Sequence, residues 1–496
     1  MLRLRFRIDG SRTERLLRSA SLRAWRSGHA EKRQFTRDWF DSAKRRLHEE
    51  GILASREREG ENWRIFYSER DPAGYAFASP RASLAQSVLD IPDAAALAAF
   101  LKTKLALEAI PVQSVNLHER RLGLNAKDWH GMLILQTGEL KFVEEKQPVS
   151  EIEFLFSQGD KSSFLADIGK LRTTYELFPL PTGGVLEGHG PGWERGPVRA
   201  RAIRLHKEMD SQAAARLSFW EGLRQLAANV GPLLESKDPE IVHQMRVAIR
   251  RLRAAISVFS PLLTGPDGEK VLAEIKWLAA LLGAARDLDV FIEEILDPVS
   301  LEFKADIAIL RKSFLARRAA RYRALREALA SPELARLLFD CAAWIEGGTW
   351  LKGKENKAAR RQPVTEHAAK VLEKRRVKAA AFGDDLYHLA PNELHEARIA
   401  IKKLRYAGEF FQSVFDGETV KNYQRRLSKI QDKLGEFNDI NVAIHLLHGM
   451  AKADDHERRR AADLVIGWHA PQQEKLLEEA VAEWRGFLEH EPFWRK

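Results

Sequence analysis

The strongest constraint on this chain is an internal repeat at one fixed offset. Val242-His-Gln-Met-Arg-Val-Ala-Ile-Arg-Arg-Leu-Arg-Ala-Ala-Ile-Ser-Val-Phe259 recurs as Leu394-His-Glu-Ala-Arg-Ile-Ala-Ile-Lys-Lys-Leu-Arg-Tyr-Ala-Gly-Glu-Phe-Phe411, 152 residues on. A second block, Leu282-Gly-Ala-Ala-Arg-Asp-Leu-Asp-Val290, returns at the same offset as Leu434-Gly-Glu-Phe-Asn-Asp-Ile-Asn-Val442. Two blocks in one register predict a tandem helical duplication with internal two-fold pseudosymmetry, because such a unit buries its apolar face against its own copy.

Both copies carry the helical period. At about 100° per residue, His243, Arg246, Arg250 and Arg253 fall within about 80° of one another, in a stripe about 15 Å long. Met245, Ala248, Ile249, Leu252, Ile256 and Phe259 form the opposite, apolar face. The second copy repeats the stripe as His395, Arg398, Lys402 and Arg405. A charged helix face is ordinarily just solvated. Here each stripe is basic without an interspersed acid, keeps its leading histidine, and exchanges Arg for Lys without losing charge. Those features favour a shared basic groove for an anion. Arg251, Lys403, Arg317, Arg321, Lys429 and Lys433 are further basic positions that would extend it, as would the run Lys374, Arg375, Arg376 and Lys378. Arg suits bidentate phosphate contact and Lys acts as a point charge.

The rest of the chain sets the context. Its 496 residues are too many for one core and predict two or three domains. Lys and Arg outnumber Asp and Glu by 80 to 70, for a net charge of +10, which favours an anionic partner without naming it. Cys341 is the sole cysteine, so no disulfide forms within the chain, and a reducing, cytoplasmic setting is expected. No apolar run approaches the roughly 18 residues of a membrane span, so no membrane partner is expected.

Residues 1–180 read as an α+β domain. Leu2, Leu4, Phe6 and Ile8 alternate with Arg3, Arg5, Arg7 and Asp9, a strand signal. Trp63–Tyr67, Met132–Gln136 and Glu151–Phe156 are further strands, and Asp93–Leu107 and Ser162–Arg172 are helices. Residues 181–204 are a Gly/Pro-rich linker. Residues 205–490 read as all helix, in repeats of about 205–345 and 363–490, with breaks at Pro261–Gly268, Pro298, Pro332, Gly347–Gln362, Pro391, Gly417 and Pro471.

The His-x-x-Arg-x-x-x-Arg/Lys-Arg/Lys-x-Arg helix in two copies, with Leu-Gly-x-x-x-Asp following each, resembles the CHAD domain, the conserved-histidine α-helical domain. The resemblance covers about residues 205–490. It implies a helical bundle with internal pseudosymmetry, polyphosphate binding along a basic pore or groove, and association with polyphosphate granules. Residues 1–180 resemble a divergent CYTH domain, an antiparallel β-tunnel that hydrolyses triphosphates with Mg²⁺ or Mn²⁺. Arg37-Asp-Trp-Phe-Asp-Ser, Gly51-Ile-Leu, Glu59-Gly-Glu-Asn-Trp63 and Glu151-Ile-Glu-Phe carry that similarity.

The departures are chemical. The family's opening Glu-x-Glu-x-Lys falls on Met1, Arg3 and Arg5, and its paired basic residues fall near Ser55 and Glu57, with Arg56 and Arg58 displaced by one. A one-residue slip turns a strand side chain to the other face. Glu151 and Glu153 are the weak metal candidates that remain. No other catalytic motif is present. The expectation is a non-catalytic binder of inorganic polyphosphate that needs no cofactor. The alternatives are a metal-dependent triphosphatase, the one reading that calls for Mg²⁺ or Mn²⁺, and a non-specific nucleic-acid binder, for which no base-reading motif stands out.

Overall fold

The computed structural model describes residues 2–41, 52–59, 62–69, 87–89, 99, 102, 110–142, 145–180, 196–415, 417–450 and 456–495. The Gly/Pro-rich stretch 181–195 and most of the expected helix Asp93–Leu107 lie outside them. Two compact units result. One comprises Met1–Val198, Leu223–Ser236 and Ala330–Gly348; the other comprises Arg199–Gly222, Lys237–Leu329 and Thr349–Lys496.

The first unit is built on an antiparallel sheet of nine strands, β1 (Leu2–Arg7), β2 (Arg26–Asp41), β3 (Ile52–Glu59), β4 (Asn62–Glu69), β5 (Ser87–Leu89), β6 (Ile110–Asn125), β7 (Trp129–Phe142), β8 (Glu145–Gly159) and β9 (Phe178–Pro179). Their order is β5-β4-β3-β2-β6-β7-β8-β1-β9. The short helices α1 (Gly10–Leu17) and α2 (Ala20–Trp25) follow β1, and α3 (Lys161–Tyr175) follows β8.

Alternation in β1 decides the two faces. Leu2, Leu4 and Phe6 are buried and pair in register with Phe156, Phe154 and Ile152 of β8. Phe164 of α3 packs on Trp129 and Phe156 from that side, with ring centroids 5.0 and 5.4 Å apart. Asp160 caps α3 by accepting from the backbone N–H of Ser163 at 3.1 Å. The other face carries Arg3, Arg5 and Arg7, together with an apolar patch of Phe35, Trp39, Val115, Leu117 and Leu140.

The remaining helices are α4 (Ser211–Ala228), α5 (Val230–Glu235), α6 (Pro239–Val258), α7 (Pro266–Val290), α8 (Asp297–Phe303), α9 (Ala308–Leu329), α10 (Pro332–Gly347), α11 (Lys357–Arg361), α12 (Val364–Ala380), α13 (Pro391–Phe411), α14 (Gly417–Met450) and α15 (His456–Glu489). Within the second unit, shifting the first copy by the repeat offset places the starts of α6 and α7 within one residue of α13 and α14. The 3₁₀ turn Ser260–Leu262 coincides with Gln412–Val414. The start of α4 falls within one residue of α12 in the same way.

Proline at the first helical position opens α6 and α13. Asp238 caps α6 at the Glu240 N–H, 2.9 Å away, and Glu393 reaches back to the Ala390 N–H at 2.7 Å. A core of Phe291, Ile295, Phe314, Ile440, Leu447, Ala461 and Val465 joins the ends of the long helices.

The break expected at Pro471 does not occur: α15 runs through it. Proline inside a helix costs about 3 kcal/mol. Tertiary packing overrides that here, with Val465 and Leu476 buried on either side and His469 Nε2 2.9 Å from the Ile295 carbonyl oxygen.

Candidate polyanion site

Both stripes lie in the second unit, one on α6 and one on α13, and the fold brings them together. Arg250 reaches over the ring of Tyr406 on α13, 5.6 Å from its centroid. Arg246, Arg250 and Arg253 all act electrostatically on Lys402, and Arg246 and Arg250 act on Arg398. Burial, reinforced by Arg250, Arg398, Arg246 and Arg253, holds Lys402 at about 8 against its ordinary 10.5. Burial also lowers Arg398, and the two α6 arginines add to the effect.

Some of these cations are compensated and some are not. Arg246 lies 3.2 Å from Asp287 of α7, and Arg398 feels Asp439 of α14. Arg405 donates to Gln431 Oε1 at 2.9 Å and lies 3.9 Å from Glu409. Arg250, Arg253 and Lys402 have no carboxylate partner among the described residues, and the Nε of Arg250 and of Arg398 is buried without a hydrogen-bond partner.

The two histidines have different neighbours. His395 Nδ1 is 2.9 Å from Asn438 Oδ1. His243 is half-buried, and burial followed by the charge of Arg286 lowers its pKa. Arg286 and Asn438 are counterparts in the repeat, so this one exchange gives the two histidines unlike surroundings.

The Leu-Gly-x-x-x-Asp block now has a geometric reason. A Cβ at Gly283 would stand 2.8 Å from the Arg246 guanidinium, so glycine lets that side chain cross α7 and reach Asp287 one turn on. At Gly435 the nearest atom, Arg398 Nε, is 4.0 Å from such a Cβ. Alanine in a helix interior is favoured over glycine by up to about 1 kcal/mol. Gly435→Ala is therefore expected to raise the melting temperature in calorimetry. Gly283→Ala is expected to lose that gain by displacing Arg246 from its position beside Asp287.

Residues of the two copies also meet their own counterparts. Phe259 and Phe411 pack edge to face with centroids 5.8 Å apart. Asp439 adds to the burial that raises Asp287, and Arg250 acts on Lys402. Pairs of this kind were outside what helical angles alone could indicate.

The further basic positions fall elsewhere. Arg251 points away from the stripe. It is buried, pairs with Glu409 and donates to the Arg201 carbonyl at 3.0 Å. Lys429 and Lys433 of α14 pair with Glu483 and Glu479 of α15, at 2.8 and 2.5 Å, as surface ion pairs across a helical hairpin. Arg317 packs over Phe314 at 5.4 Å, and Arg321 is exposed. Lys403 lies on the far side of α13 from the stripe, beside Arg375 and Lys378.

In the first unit, the charged sheet face is neutralised from within. Arg37 pairs with Glu57; Arg33 Nη1 is 2.9 Å from Glu57 and its Nε 2.8 Å from Glu119. Arg121 and Gln136 also donate to Glu119, at 2.8 and 2.6 Å. Glu153, a metal candidate in the sequence, stands opposite Arg5 and is paired with it at 3.2 Å, with Arg3 at 3.8 Å. Glu151 is in register with Arg7 on one side and Gln136 on the other. Ser55 and Glu57 are buried, while Arg56 turns to Asp38 at 2.8 Å, as the one-residue slip requires. Among the described residues no group of three or more His, Cys, Asp or Glu is placed to hold a metal ion.

An antiparallel sheet followed by a helical domain that gathers cations from two repeated helices is the class this fold and cluster define. Residues 218–448 match the CHAD domain family model. The crystal structure of the CHAD domain from the plant Ricinus communis is similar at 26% identity and a TM-score of 0.52, covering 59% of this chain and 97% of that one. PptA from Streptomyces chartreusis is similar at 15% identity and a TM-score of 0.44, covering 56% of this chain and 100% of that one. A comparison with curated proteins returns no match. Among the described residues no helix is long and apolar enough to cross a membrane.

Proposed function

We propose that this chain binds inorganic polyphosphate in a basic groove formed by α6 and α13, and through it associates with polyphosphate granules. The observation that carries this reading is the mutual field of Arg246, Arg250, Arg253, Arg398 and Lys402, three of which have no carboxylate partner among the described residues. Like charges gathered in partial burial oppose folding. A polymer with a negative charge on every unit reverses that cost along its whole length, whereas a single small anion meets only part of the cluster. CHAD domains are known for association with polyphosphate, which supports the same ligand.

The counterpart contact Phe259–Phe411 and the field of Arg250 at its own counterpart Lys402 favour a local two-fold axis at the groove, since a residue that meets its own copy lies beside such an axis. The sheet of the first unit is, in this reading, a CYTH-like scaffold without catalysis. Its interior arginines and glutamates engage one another, so metal and triphosphate find few open partners. Release of phosphate from triphosphate with Mn²⁺, lost in Glu151→Ala and Glu153→Ala, would assign an enzyme instead.

Lys402 supplies the test. Below about pH 8 it is charged and contributes fully; above that the free protein must take up a proton to bind. Affinity for long-chain polyphosphate is expected to fall by about thirty-fold between pH 7 and pH 9.5, if the bound lysine returns to its ordinary pKa. Lys402→Arg, which stays charged, should flatten that profile. Equal slopes for the two proteins in equilibrium titrations would remove Lys402 from the site.

A further inference from the structure

The basic run on α12 has a place of its own. Arg375, Lys378 and Phe382 line a cavity of about 290 Å³ together with Glu396, Ile399, Ala400 and Lys403 of α13. On α13 these last four positions centre about 130° around the helix from the His395–Arg405 stripe, so the cavity opens on a different face from the proposed groove.

Its chemistry is two-sided. Lys378, Lys403 and Glu396 are exposed at the rim, while Arg375, Phe382, Ile399 and Ala400 are half-buried. Arg375 donates to the Lys403 carbonyl and, at 3.1 Å, to Ser257 Oγ. Those bonds commit two of its five N–H groups. Neither acceptor is an acid. Burial alone brings Arg375 down to about 10, with no carboxylate acting against it.

The repeat shows that this cavity is not required by the fold. At the offset of the duplication, Arg375, Lys378 and Phe382 correspond to Leu223, Leu226 and Val230, all buried. Lys403 corresponds to Arg251, which is buried and paired with Glu409. The second copy thus has two cations and a ring where the first has aliphatic core, and an open lysine where the first has a closed ion pair.

We propose that this cavity is a second anion site, for a small organic phosphate with a planar or apolar portion, of about the size of a mononucleotide. Three cations against one acid select the phosphate, and Phe382, Ile399 and Ala400 offer a surface for a ring. Glu396 would accept from a hydroxyl or amine but repel a second phosphate, which disfavours an inorganic polymer here. The volume sits at the small end of small-molecule pockets, which begin at about 300 Å³.

Calorimetric titration of the full chain with AMP, with adenosine and with inorganic phosphate tests this. AMP should bind saturably and at least tenfold more tightly than either half alone. Lys378→Ala and Lys403→Ala should each weaken AMP by about tenfold, and Phe382→Ala should weaken AMP but not inorganic phosphate. Polyphosphate affinity should change by less than about threefold in Lys378→Ala. Because the two lysines are exposed, these variants are expected to fold even where Arg375→Ala does not. Absence of saturable AMP binding would overturn the proposal. So would loss of AMP binding in Arg250→Ala/Lys402→Ala with retention in Lys378→Ala, since the nucleotide would then occupy the stripe.

Discussion

Replacing Arg250 and Lys402 together by alanine should weaken polyphosphate binding by about a thousand-fold and should also make the protein more stable. The two effects have one cause. Both side chains are half-buried cations without a carboxylate partner among the described residues, and each lies in the field of the other. A hydrogen bond to a charged group contributes about 1.5–3 kcal/mol, so two lost phosphate contacts amount to roughly 4 kcal/mol, or about three decades in Kd. Folding, by contrast, has to desolvate these charges and bring them together. A residue kept for packing or ion pairing would lose stability on truncation. Scanning calorimetry beside equilibrium titration separates the cases: a lower melting temperature with unchanged affinity would make the pair structural. The linkage has a matching sign. Lys402 has a lowered folded-state pKa, so below about 8 its charge costs stability, and that cost fades as pH rises toward its unfolded value.

Glu57→Ala should destabilise the first unit by about 3–5 kcal/mol, the usual cost of leaving a buried charge without its partner. Glu57 is 2% exposed, and it pairs with both Arg37 and Arg33. Its removal takes a buried carboxylate away from Arg37, which is itself buried. Urea unfolding should show the loss, and Arg37→Met/Glu57→Leu should recover most of it, because well-packed apolar residues often replace a buried pair at little cost. Lys429→Ala breaks an exposed pair with Glu483 and should stay within about 1 kcal/mol of wild type. A Glu57→Ala variant as stable as wild type would show that the sheet face does not depend on its internal charge pairing.

The sequence carried the local parts of this structure well. Period two in Leu2–Ile8 placed β1 and its buried face, and the angles of α6 and α13 separated each basic stripe from its apolar side. These features repeat within a few residues, so one strand or helix contains the whole signal. What escaped was set by partners distant in the chain. Arg251 looks like an extension of the stripe until α13 brings Glu409 to it. Lys429 and Lys433 recur every four residues like a binding face, but α15 meets them with Glu483 and Glu479. Glu153 looks like a relic of a metal site until the β1–β8 register sets Arg5 across from it. The helix crosses Pro471 because packing on both sides of it outweighs local helix energetics. The cavity at Arg375 came from a run, Lys374–Lys378, whose side chains divide among different faces of α12.

The most direct measurement is competition at equilibrium in about 0.15 M salt, where weak surface attraction is screened. Labelled long-chain polyphosphate bound to the full chain is displaced by unlabelled polyphosphate, triphosphate or duplex DNA at equal phosphate concentration. Polyphosphate should displace at concentrations at least tenfold below either competitor, and Arg246→Ala/Arg398→Ala should abolish the difference by losing affinity for polyphosphate. Displacement by DNA at the same concentration, or undiminished polyphosphate affinity in the double variant, would contradict a polyphosphate groove on α6 and α13.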